Sequence, residues 1–243
     1  MTATTMNFEP IGIIHSGFKE KFGIPRQPGL ASSMQATIEL LPDYASEEIV
    51  RGLEGCSHIW LIFIFSACAD KGWAPTVRPP RLGGNRRVGV LATRSPFRPN
   101  PIGLSAVKLD SVMCSHGRVQ LQVSGADLMD QTPILDIKPY LPYSDQIPTA
   151  EFSLAESYQA LEVPIIFKSE AKHQCDIIKQ KTKLPIEQQI TEILRCDPRP
   201  AYQRSAEREY GIRLHDYNIR WSITDEEAIY VHSIEMAIDV LNN

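Results

Sequence analysis

The sequence has no hydrophobic run long enough to cross a membrane and no cysteine pattern typical of a disulfide framework or a zinc site. Its longest apolar run, Ile59 to Phe65, has seven residues, whereas a membrane-spanning helix needs about 20. The five cysteines are widely separated and form no C-x-x-C pair. Residues Met1 to Asn7 lack the basic start and apolar stretch of a signal peptide. These absences predict a cytoplasmic protein without structural disulfides or a bound metal.

The sequence also lacks the motifs of the common nucleotide-dependent and hydrolytic enzymes. It contains no G-x-G-x-x-G after a strand, no G-x-x-x-x-G-K-[ST], no H-E-x-x-H and no G-x-S-x-G. The six histidines are too far apart to indicate a metal site or a catalytic triad. The sequence therefore favours a functional site of another kind.

Short β-type runs fill the first part of the chain. In one of them Val119, Leu121 and Val123 alternate with polar residues, which is typical of an antiparallel strand with one solvent-facing side. Only residues 46–53 look helical there, and the predicted strands are 11–15, 36–41, 58–65, 86–93, 102–109, 118–125 and 134–140. Many short strands with few helices predict a closed antiparallel β-barrel and argue against a doubly wound α/β fold.

The pattern changes after Pro142. Residues 169–196 predict two helices separated by Leu184 and Pro185, because proline is favourable at a helix start. Strand-like runs follow at 211–216, 218–223 and 228–234. We therefore predict a mainly β protein, with a β-barrel domain over residues 1–160 and a small α+β domain over residues 161–243.

The net charge of −4 conceals a strongly basic segment. From Lys71 to Lys108 there are eight basic residues and no acidic ones, whereas the rest of the chain has 17 basic and 29 acidic residues. Such local asymmetry is typical of an anion-binding surface, and the arginine fork suits phosphate groups. The alternative is a solvated loop, rich in arginine and proline, that only connects strands.

Several long segments of the sequence resemble a known family. They are IGIIHSGFKEKFGIPRQPGL, LEGCSHIWLIFIF, RPPRLGGNRRVGVLATRSPFRPNPIGLSAVKL and DQTPILDIKPYLPYSD, with weaker agreement in DPRPAYQ and LHDYNIRW. Together they resemble the TsaA/TrmO-like tRNA methyltransferases. The resemblance implies a β-barrel enzyme that uses S-adenosylmethionine to methylate N6 of threonylcarbamoylated adenosine 37, beside the anticodon of threonine tRNA. It also implies a homodimer with cofactor sites near the subunit interface.

The resemblance further implies which residues contact the cofactor. Transferred by motif, these are Pro25, Arg26, Gln27, Ser66, Ala67, Arg94, Leu104, Asp130, Gln131, Thr132 and Pro133. Family members often have His where this chain has Ser66 and Ala67, so backbone contacts are expected at that point.

Simpler roles compete with some of these assignments. A guanidinium of Arg26 or Arg94 suits the carboxylate of the cofactor. The alternative for Leu104 is packing in the core, and for Asp130 and Thr132 it is capping of a turn.

Catalysis of this reaction would be helped by a proton acceptor. The adenine amine is a poor nucleophile because its lone pair is delocalised, so a group that takes its proton as charge develops would lower the barrier. Asp136 and Tyr140, with Lys138 nearby, are the candidate catalytic residues. The alternative is that this strand only packs the barrel.

The basic segment suits the tRNA. Its candidate contacts with the phosphates of the anticodon stem-loop are Arg78, Arg81, Arg86, Arg87 and Arg98. The second domain offers further basic and aromatic residues, namely Arg199, Tyr202, Arg204, Arg208, Arg220 and Trp221. Two other functions stay open at this point: a non-catalytic RNA-binding barrel, and a methyltransferase that acts on a small anionic metabolite.

Overall fold

The computed structural model describes residues 6–79, 86–154, 160–199, 208–224 and 228–237. Up to residue 139 its elements are β1 (Gly12–Ser16), β2 (Gln35–Leu40), α1 (Glu47–Val50), β3 (His58–Ile64), α2 (Ser66–Ala69), β4 (Thr76–Val77), β5 (Val88–Gly89), β6 (Ile102–Ser115), β7 (Arg118–Ser124) and β8 (Thr132–Pro139). They are followed by α3 (Pro142–Asp145), β9 (Ile165–Phe167), α4 (Ser169–Thr182), α5 (Ile186–Arg195), β10 (Glu209–Leu214), β11 (Tyr217–Thr224) and β12 (Ala228–Met236).

The chain folds into two compact units that interleave along the sequence. The first unit takes the described parts of Met1–His15, Ala36–Ser124 and Gln131–Tyr140. The second unit takes the described parts of Ser16–Gln35, Gly125–Asp130 and Leu141–Asn243. Two short segments that precede residue 160 thus belong to the unit formed mainly by the C-terminal part. The division of the chain at residue 160 stays a prediction.

The first unit contains the closed antiparallel β-barrel that the sequence predicts. Its six strands lie in the order β1-β2-β7-β6-β3-β8, and β8 pairs with β1 to close the barrel. In β7 the side chains of Val119, Leu121 and Val123 are buried, whereas the residues between them are partly exposed. The alternation predicted for this strand is therefore confirmed, and it places one side of the strand in the barrel interior.

Strand β3 lies between β6 and β8 and aligns both of them. Ile62 is opposite Leu104 on β6 and opposite Asp136 on β8. The register with β8 shifts after Ile62, since Phe63 pairs with Ile134, so Leu135 is an extra residue on β8. Such a bulge bends the strand locally and increases its twist.

Gly103 on β6 makes room for an aromatic ring. It pairs with Phe63, whose side chain is buried, and a Cβ atom added at Gly103 would overlap the Cζ and Cε2 atoms of that ring. Glycine inside a strand often marks such a close approach. The glycine of the PNPIG sequence therefore has a packing role in the barrel.

Two sequence predictions in this unit are wrong in detail. Residues 86–93 do not form one strand, because pairing with β4 ends at Gly89 and a 3-10 turn follows over Val90–Ala92. The Thr93 backbone N–H donates to the Val90 carbonyl at 3.1 Å and fixes that turn. The helix predicted over 46–53 is shortened to α1, because Gly52 adopts a left-handed φ of 89° before a second 3-10 turn.

The second unit is a four-stranded sheet packed against two helices. The strand order is β10-β11-β12-β9, with β9 parallel to β12 and the other neighbours antiparallel. Ile186, Ile190 and Ile193 are spaced to lie on one face of α5, and all three are buried. They share one apolar core with Ile212 and Trp221. This unit has the α+β composition that the sequence predicts.

The two helices are separated where the sequence predicts a break. Lys183 adopts a left-handed φ of 65° at the end of α4, and its N–H donates to the Lys179 carbonyl. Pro185 then precedes the first turn of α5. Among the described residues, no helix combines the length and the apolar character needed to span a membrane.

We expect the substitution Gly103→Ala to destabilise the barrel by ~1–3 kcal/mol, because the added methyl group must displace the buried ring of Phe63. Chemical denaturation of the wild type and the variant measures this difference. In a Phe63→Leu background the same substitution should cost less, since the smaller side chain leaves room for the methyl group. An equal cost in both backgrounds would contradict the proposed packing role.

Candidate active site

The second unit carries the Pro25-Arg26-Gln27 turn in a segment without regular secondary structure. Pro25 is buried, and Arg26 and Gln27 are partly buried. The turn is followed by Gly29, whose N–H donates to the carbonyl of Gly125 at 2.8 Å.

These two glycines approach each other closely. Both have left-handed φ values, 78° at Gly29 and 75° at Gly125, and a Cβ atom added at Gly125 would lie 3.1 Å from the Gly29 Cα atom. The contact joins the segment that bears the turn to the segment that leads to Asp130. Within this unit the structure thus connects two segments that the sequence places far apart.

Asp130 fixes the start of the segment that bears the Pro25-Arg26-Gln27 turn. One oxygen of its carboxylate accepts a hydrogen bond from the Ser16 N–H at 2.9 Å, and the other accepts from Lys19 Nζ at 2.7 Å. Its own N–H donates to the Phe18 carbonyl at 2.8 Å. The carboxylate therefore holds the backbone of Ser16, which is 114 residues away in the sequence.

The first unit carries the other residues of that motif. Thr132 is buried and pairs with Ile14 on β1, so its side chain belongs to the barrel interior. Gln131 is exposed, with a left-handed φ of 65°, and its Nε2 atom lies 3.0 Å from His15 Nδ1. Pro133 is partly buried next to them.

Leu104 lies on the outside of the barrel. Its side chain is 53% exposed, so packing in the core is wrong for this residue. Because residues directly opposite in adjacent strands point to the same side, Leu104, Ile62 and Asp136 form one row across three strands. Strands lie about 4.8 Å apart, so the backbones at the two ends of the row are roughly 10 Å apart.

The next row brings the other candidate catalytic residues to the same side. Lys138 is opposite Trp60 on β3, and its Nζ atom lies 2.8 Å from an Asp136 carboxylate oxygen. Both partners of this ion pair are about half exposed, so its contribution to stability is small. The ring of Tyr140 packs on Trp60 with centroids 5.5 Å apart. We use the name outer face of β3 for the residues of these two rows together with Tyr140: Leu104, Ile62, Asp136, Trp60, Lys138 and Tyr140.

The outer face of β3 combines an exposed apolar surface with a carboxylate. The Asp136 carboxylate is partly exposed and lies beside the ammonium group of Lys138. The other oxygen of this carboxylate accepts a hydrogen bond from the Ile137 N–H at 2.8 Å, which fixes its orientation. The arrangement can therefore hold a carboxylate in a defined position next to an apolar surface.

Most of the described part of the basic segment lies in the connection between β3 and β6, of which residues 65–79 and 86–101 are described. The ends of this connection are joined by a hydrogen bond from the Phe65 N–H to the Pro101 carbonyl at 2.8 Å. Ser66 and Ala67 lie at the start of this connection and are the exposed first residues of α2.

The arginines of the basic segment differ in exposure. Arg78, Arg86, Arg87 and Arg94 are exposed, whereas Arg98 is partly buried and donates from an NH group to the Thr93 carbonyl at 3.1 Å. The exposed set can contact an anion directly, and Arg98 also stabilises the turn. The predicted contact Arg81 lies outside the described residues.

Two exposed aromatic residues accompany these arginines and were missed in the sequence. Trp73 is 58% exposed and Phe97 is 37% exposed. The Ala74 N–H donates to the Phe97 carbonyl at 3.4 Å, so the two residues lie on neighbouring stretches of backbone. The signal in the sequence was an aromatic residue between the lysine and the proline of KGWAP, in a segment otherwise rich in arginine. Exposed aromatic rings among arginines can stack on unpaired bases.

Part of the basic and aromatic set in the C-terminal region is buried. Arg199 is 4% exposed and makes a two-pronged ion pair with Asp197 at 2.7 and 3.0 Å. Trp221 is 1% exposed and stacks on Tyr210. Neither Arg199 nor Trp221 is part of an accessible surface, because burial in the folded unit uses both side chains for packing.

The rest of that set is divided between the surface and the undescribed part of the chain. Arg220 is exposed and paired with Glu209 at 2.9 Å. The guanidinium of Arg208 lies over the ring of Tyr210 at 5.5 Å. Tyr202 and Arg204 lie outside the described residues. Within the described ranges, no three His, Cys, Asp or Glu side chains are grouped as metal ligands.

Comparison with known proteins identifies the family. Residues 13–146 match the model of the tRNA-methyltransferase O N-terminal domain, and residues 160–237 match the TrmO C-terminal domain. The chain belongs to the TrmO family. The resemblance inferred from the sequence motifs is therefore confirmed.

Relatives within the TrmO family align with nearly the whole chain. The tRNA (adenine(37)-N6)-methyltransferase of Escherichia coli (strain K12) is 47% identical over 224 residues, which are 91% of this chain and 95% of that protein. A Pseudomonas aeruginosa protein, named as the S-adenosylmethionine-dependent methyltransferase RcsF, is 42% identical over 93% of this chain and 96% of its own length. The crystal structure of TrmO from Pseudomonas aeruginosa superposes with a TM-score of 0.79 at 36% identity, covering 95% of this chain and 99% of that one.

Proposed function

We propose that this chain transfers the methyl group of S-adenosylmethionine to N6 of adenosine 37 of tRNA, and that the acceptor is the threonylcarbamoylated adenosine of threonine tRNA. The observation that supports this activity most strongly is the near full-length match to a TrmO-family enzyme named for methylation of adenine 37. The outer face of β3 and the exposed arginines of the basic segment supply the chemistry that such a reaction requires.

The charged and apolar residues assigned to the cofactor suit its chemistry. S-adenosylmethionine supplies a methyl group activated by a positively charged sulfur, and its amino acid end carries a carboxylate. Arg26, in the second unit, and Arg94, in the first unit, offer the guanidinium groups that bind carboxylates well. Pro25 and the exposed side chain of Leu104 offer apolar contacts.

Asp136 is the proposed proton acceptor. In the transfer a bond forms between N6 and the methyl carbon while the bond from that carbon to sulfur breaks, and the electron pair of the broken bond stays on sulfur. The proton of N6 moves to the carboxylate of Asp136 as positive charge develops on the nitrogen. Lys138 and Tyr140 orient this carboxylate and the adenosine through the 2.8 Å ion pair and the aromatic contact with Trp60.

The exposed arginines are the proposed contacts for the tRNA backbone. Arg78, Arg86 and Arg87 lie in the same connection between β3 and β6 as Trp73 and Phe97. This connection therefore offers contacts both for phosphates and for unpaired bases. Recognition of RNA loops commonly combines these two kinds of contact. The net charge of the whole chain does not oppose this, because the acidic residues lie elsewhere in the sequence.

We also propose that the chain acts as a homodimer in the cytoplasm. The exposed apolar side chains of Ile102 and Leu104 on the barrel surface support contact with a second copy. A tRNA substrate supports the cytoplasmic location. Size-exclusion chromatography with light scattering tests the dimer, and a monomer at the concentration used in the activity assay would contradict it.

Mass spectrometry of tRNA nucleosides tests the activity. We expect purified protein and S-adenosylmethionine to convert threonylcarbamoyladenosine in threonine tRNA into a product heavier by one methyl group. The same product should be lost in cells without the gene. Absence of cofactor binding in calorimetry would favour a non-catalytic RNA-binding barrel. Unaltered nucleosides in the deletion strain would favour a metabolite as the methyl acceptor.

We expect Asp136→Asn to lower kcat by roughly 10²- to 10⁴-fold, because the amide cannot take the proton from N6. Affinity for S-adenosylmethionine should stay the same. Asp110→Asn is the matched control, since Asp110 makes a similar exposed ion pair with Lys108 at 2.8 Å on β6. Equal activity of the two variants would show that Asp136 only packs the barrel.

We expect Arg86→Ala combined with Arg87→Ala to weaken tRNA binding and to reduce the slope of log affinity against log salt by about 2, since each arginine would release about one counterion. Binding of the cofactor should not change. The control removes two exposed arginines that lie outside the basic segment, Arg51 and Arg118. A salt slope that does not change in the first variant would contradict the assignment of these arginines to the tRNA backbone.

A further inference from the structure

Helix α5 holds one end of the segment that bears the Pro25-Arg26-Gln27 turn. The carboxylate of Glu192 accepts two hydrogen bonds from Ser33, one from the backbone N–H at 2.9 Å and one from Oγ at 2.8 Å. Gln189, one turn earlier on the helix, is fully buried, and its Nε2 atom donates to the Ser33 carbonyl at 3.1 Å. Ser33 is therefore held through its N–H, its carbonyl and its hydroxyl group.

The β10-β11 hairpin holds the other end of the segment. The His215 N–H donates to the Gly17 carbonyl at 2.7 Å. The imidazole ring packs so closely on Gly17 that an added Cβ atom would lie 2.8 Å from Nδ1. The Arg213 N–H donates to the Glu20 carboxylate at 2.9 Å.

The two holding points, at Ser33 and at Gly17, are joined by one partly buried contact between His215 and Gln189. His215 Nε2 lies 3.0 Å from Gln189 Oε1. Because Gln189 donates to Ser33 through Nε2, its Oε1 atom is the acceptor for a proton on His215. Burial, aided by the charge of Lys19, lowers the pKa of His215 and so favours the neutral ring. Gln189 thus bonds to the segment through its amide nitrogen and to the hairpin through its amide oxygen.

Between these points the segment has no helix or strand to fix its shape. Residues 19–34 form turns and bends, and the Gly29 to Gly125 hydrogen bond is the backbone contact next to the turn. A loop without regular pairing is held by side-chain packing and by anchors of this kind, and Ala31 and Met34, which flank Ser33, are buried in the core of this unit. The geometry of Arg26 and Gln27 therefore depends in part on how Ser33 and Gly17 are held.

We infer that Glu192 and Gln189 are positioning residues for S-adenosylmethionine: by holding Ser33 they fix the turn that presents Arg26 and Gln27. This inference rests on the proposed assignment of that turn to the cofactor. It gives the helix α5 a role in the methyl transfer reaction without contact with the substrates. Hydrogen bonds to a carboxylate are stronger than neutral ones, so Glu192 is the residue whose loss should move the turn most.

The test compares Glu192→Ala with Glu192→Gln in the full-length protein. The alanine variant loses the one oxygen, Glu192 Oε2, that accepts both hydrogen bonds from Ser33, whereas the glutamine keeps an amide oxygen that can take its place. We expect Glu192→Ala to raise the Kd and the KM for S-adenosylmethionine about 5- to 50-fold, with kcat at saturating cofactor and the tRNA Kd little changed. Glu192→Gln should restore most of the cofactor affinity.

Glu187→Ala is the matched control on the same helix. Glu187 forms an exposed ion pair with Lys172 at 2.6 Å, away from Ser33. We expect its cofactor affinity to equal that of the wild type. Thermal unfolding is measured for all variants. If Glu192→Ala does not fold, Ser33→Ala, which removes only the hydroxyl donor, gives the same comparison and should raise the KM for the cofactor by a smaller factor.

The Arg26→Ala variant distinguishes failure of the positioning role of Glu192 from failure of the assignment of the turn to the cofactor. If Arg26→Ala weakens cofactor binding and Glu192→Ala does not, the positioning role is wrong while the assignment of the turn stands. If Arg26→Ala leaves cofactor affinity unchanged, the assignment of the turn is wrong and the inference fails with it. A loss of kcat and tRNA affinity in Glu192→Ala without a change in the KM for the cofactor would indicate a general structural defect and would also overturn the positioning role.

Discussion

The pairing of β3 with both β6 and β8 is the constraint on which the barrel and its candidate catalytic face depend. The residues of β3 that point inward, such as Leu61 and Phe63, fill the barrel core. The residues that point outward place Leu104 and Asp136 in one row. Because side chains alternate along a strand, a shift of one residue would exchange these two sets. The same hydrogen-bond register thus determines both stability and the position of the carboxylate.

Local patterns in the sequence were sufficient to predict much of the architecture. The alternation around Leu121 and the proline at the start of α5 report directly on the backbone, because strand faces and helix starts are set by neighbouring residues. The strand predicted over residues 86–93 was wrong because apolar residues continue past Gly89, where the pairing partner ends. Whether a run of apolar residues finds a partner strand is decided by distant parts of the chain.

Exposure of single side chains was harder to predict for the same reason. Leu104 is apolar but lies outside the barrel, and Arg199 is charged but buried against Asp197. Residue type alone favours the opposite in each case. The roles of Ser33 and Gly17 could not be recognised at all, since their partners are about 160 to 200 residues away in the sequence. Motif resemblance located the candidate cofactor turn, but not what holds it.

The interleaving of the second unit along the chain affects how the protein is made. The segment around Arg26 leaves the ribosome well before its holding points on α5 and on the β10-β11 hairpin, since Ser33 precedes Glu192 by 159 residues. Chains emerge from the ribosome at about 5–20 residues per second, so this segment waits on the order of ten seconds for its partners. Until then, and in a chain truncated before α5, Ser33 lacks the carboxylate and the amide that hold it in the folded unit.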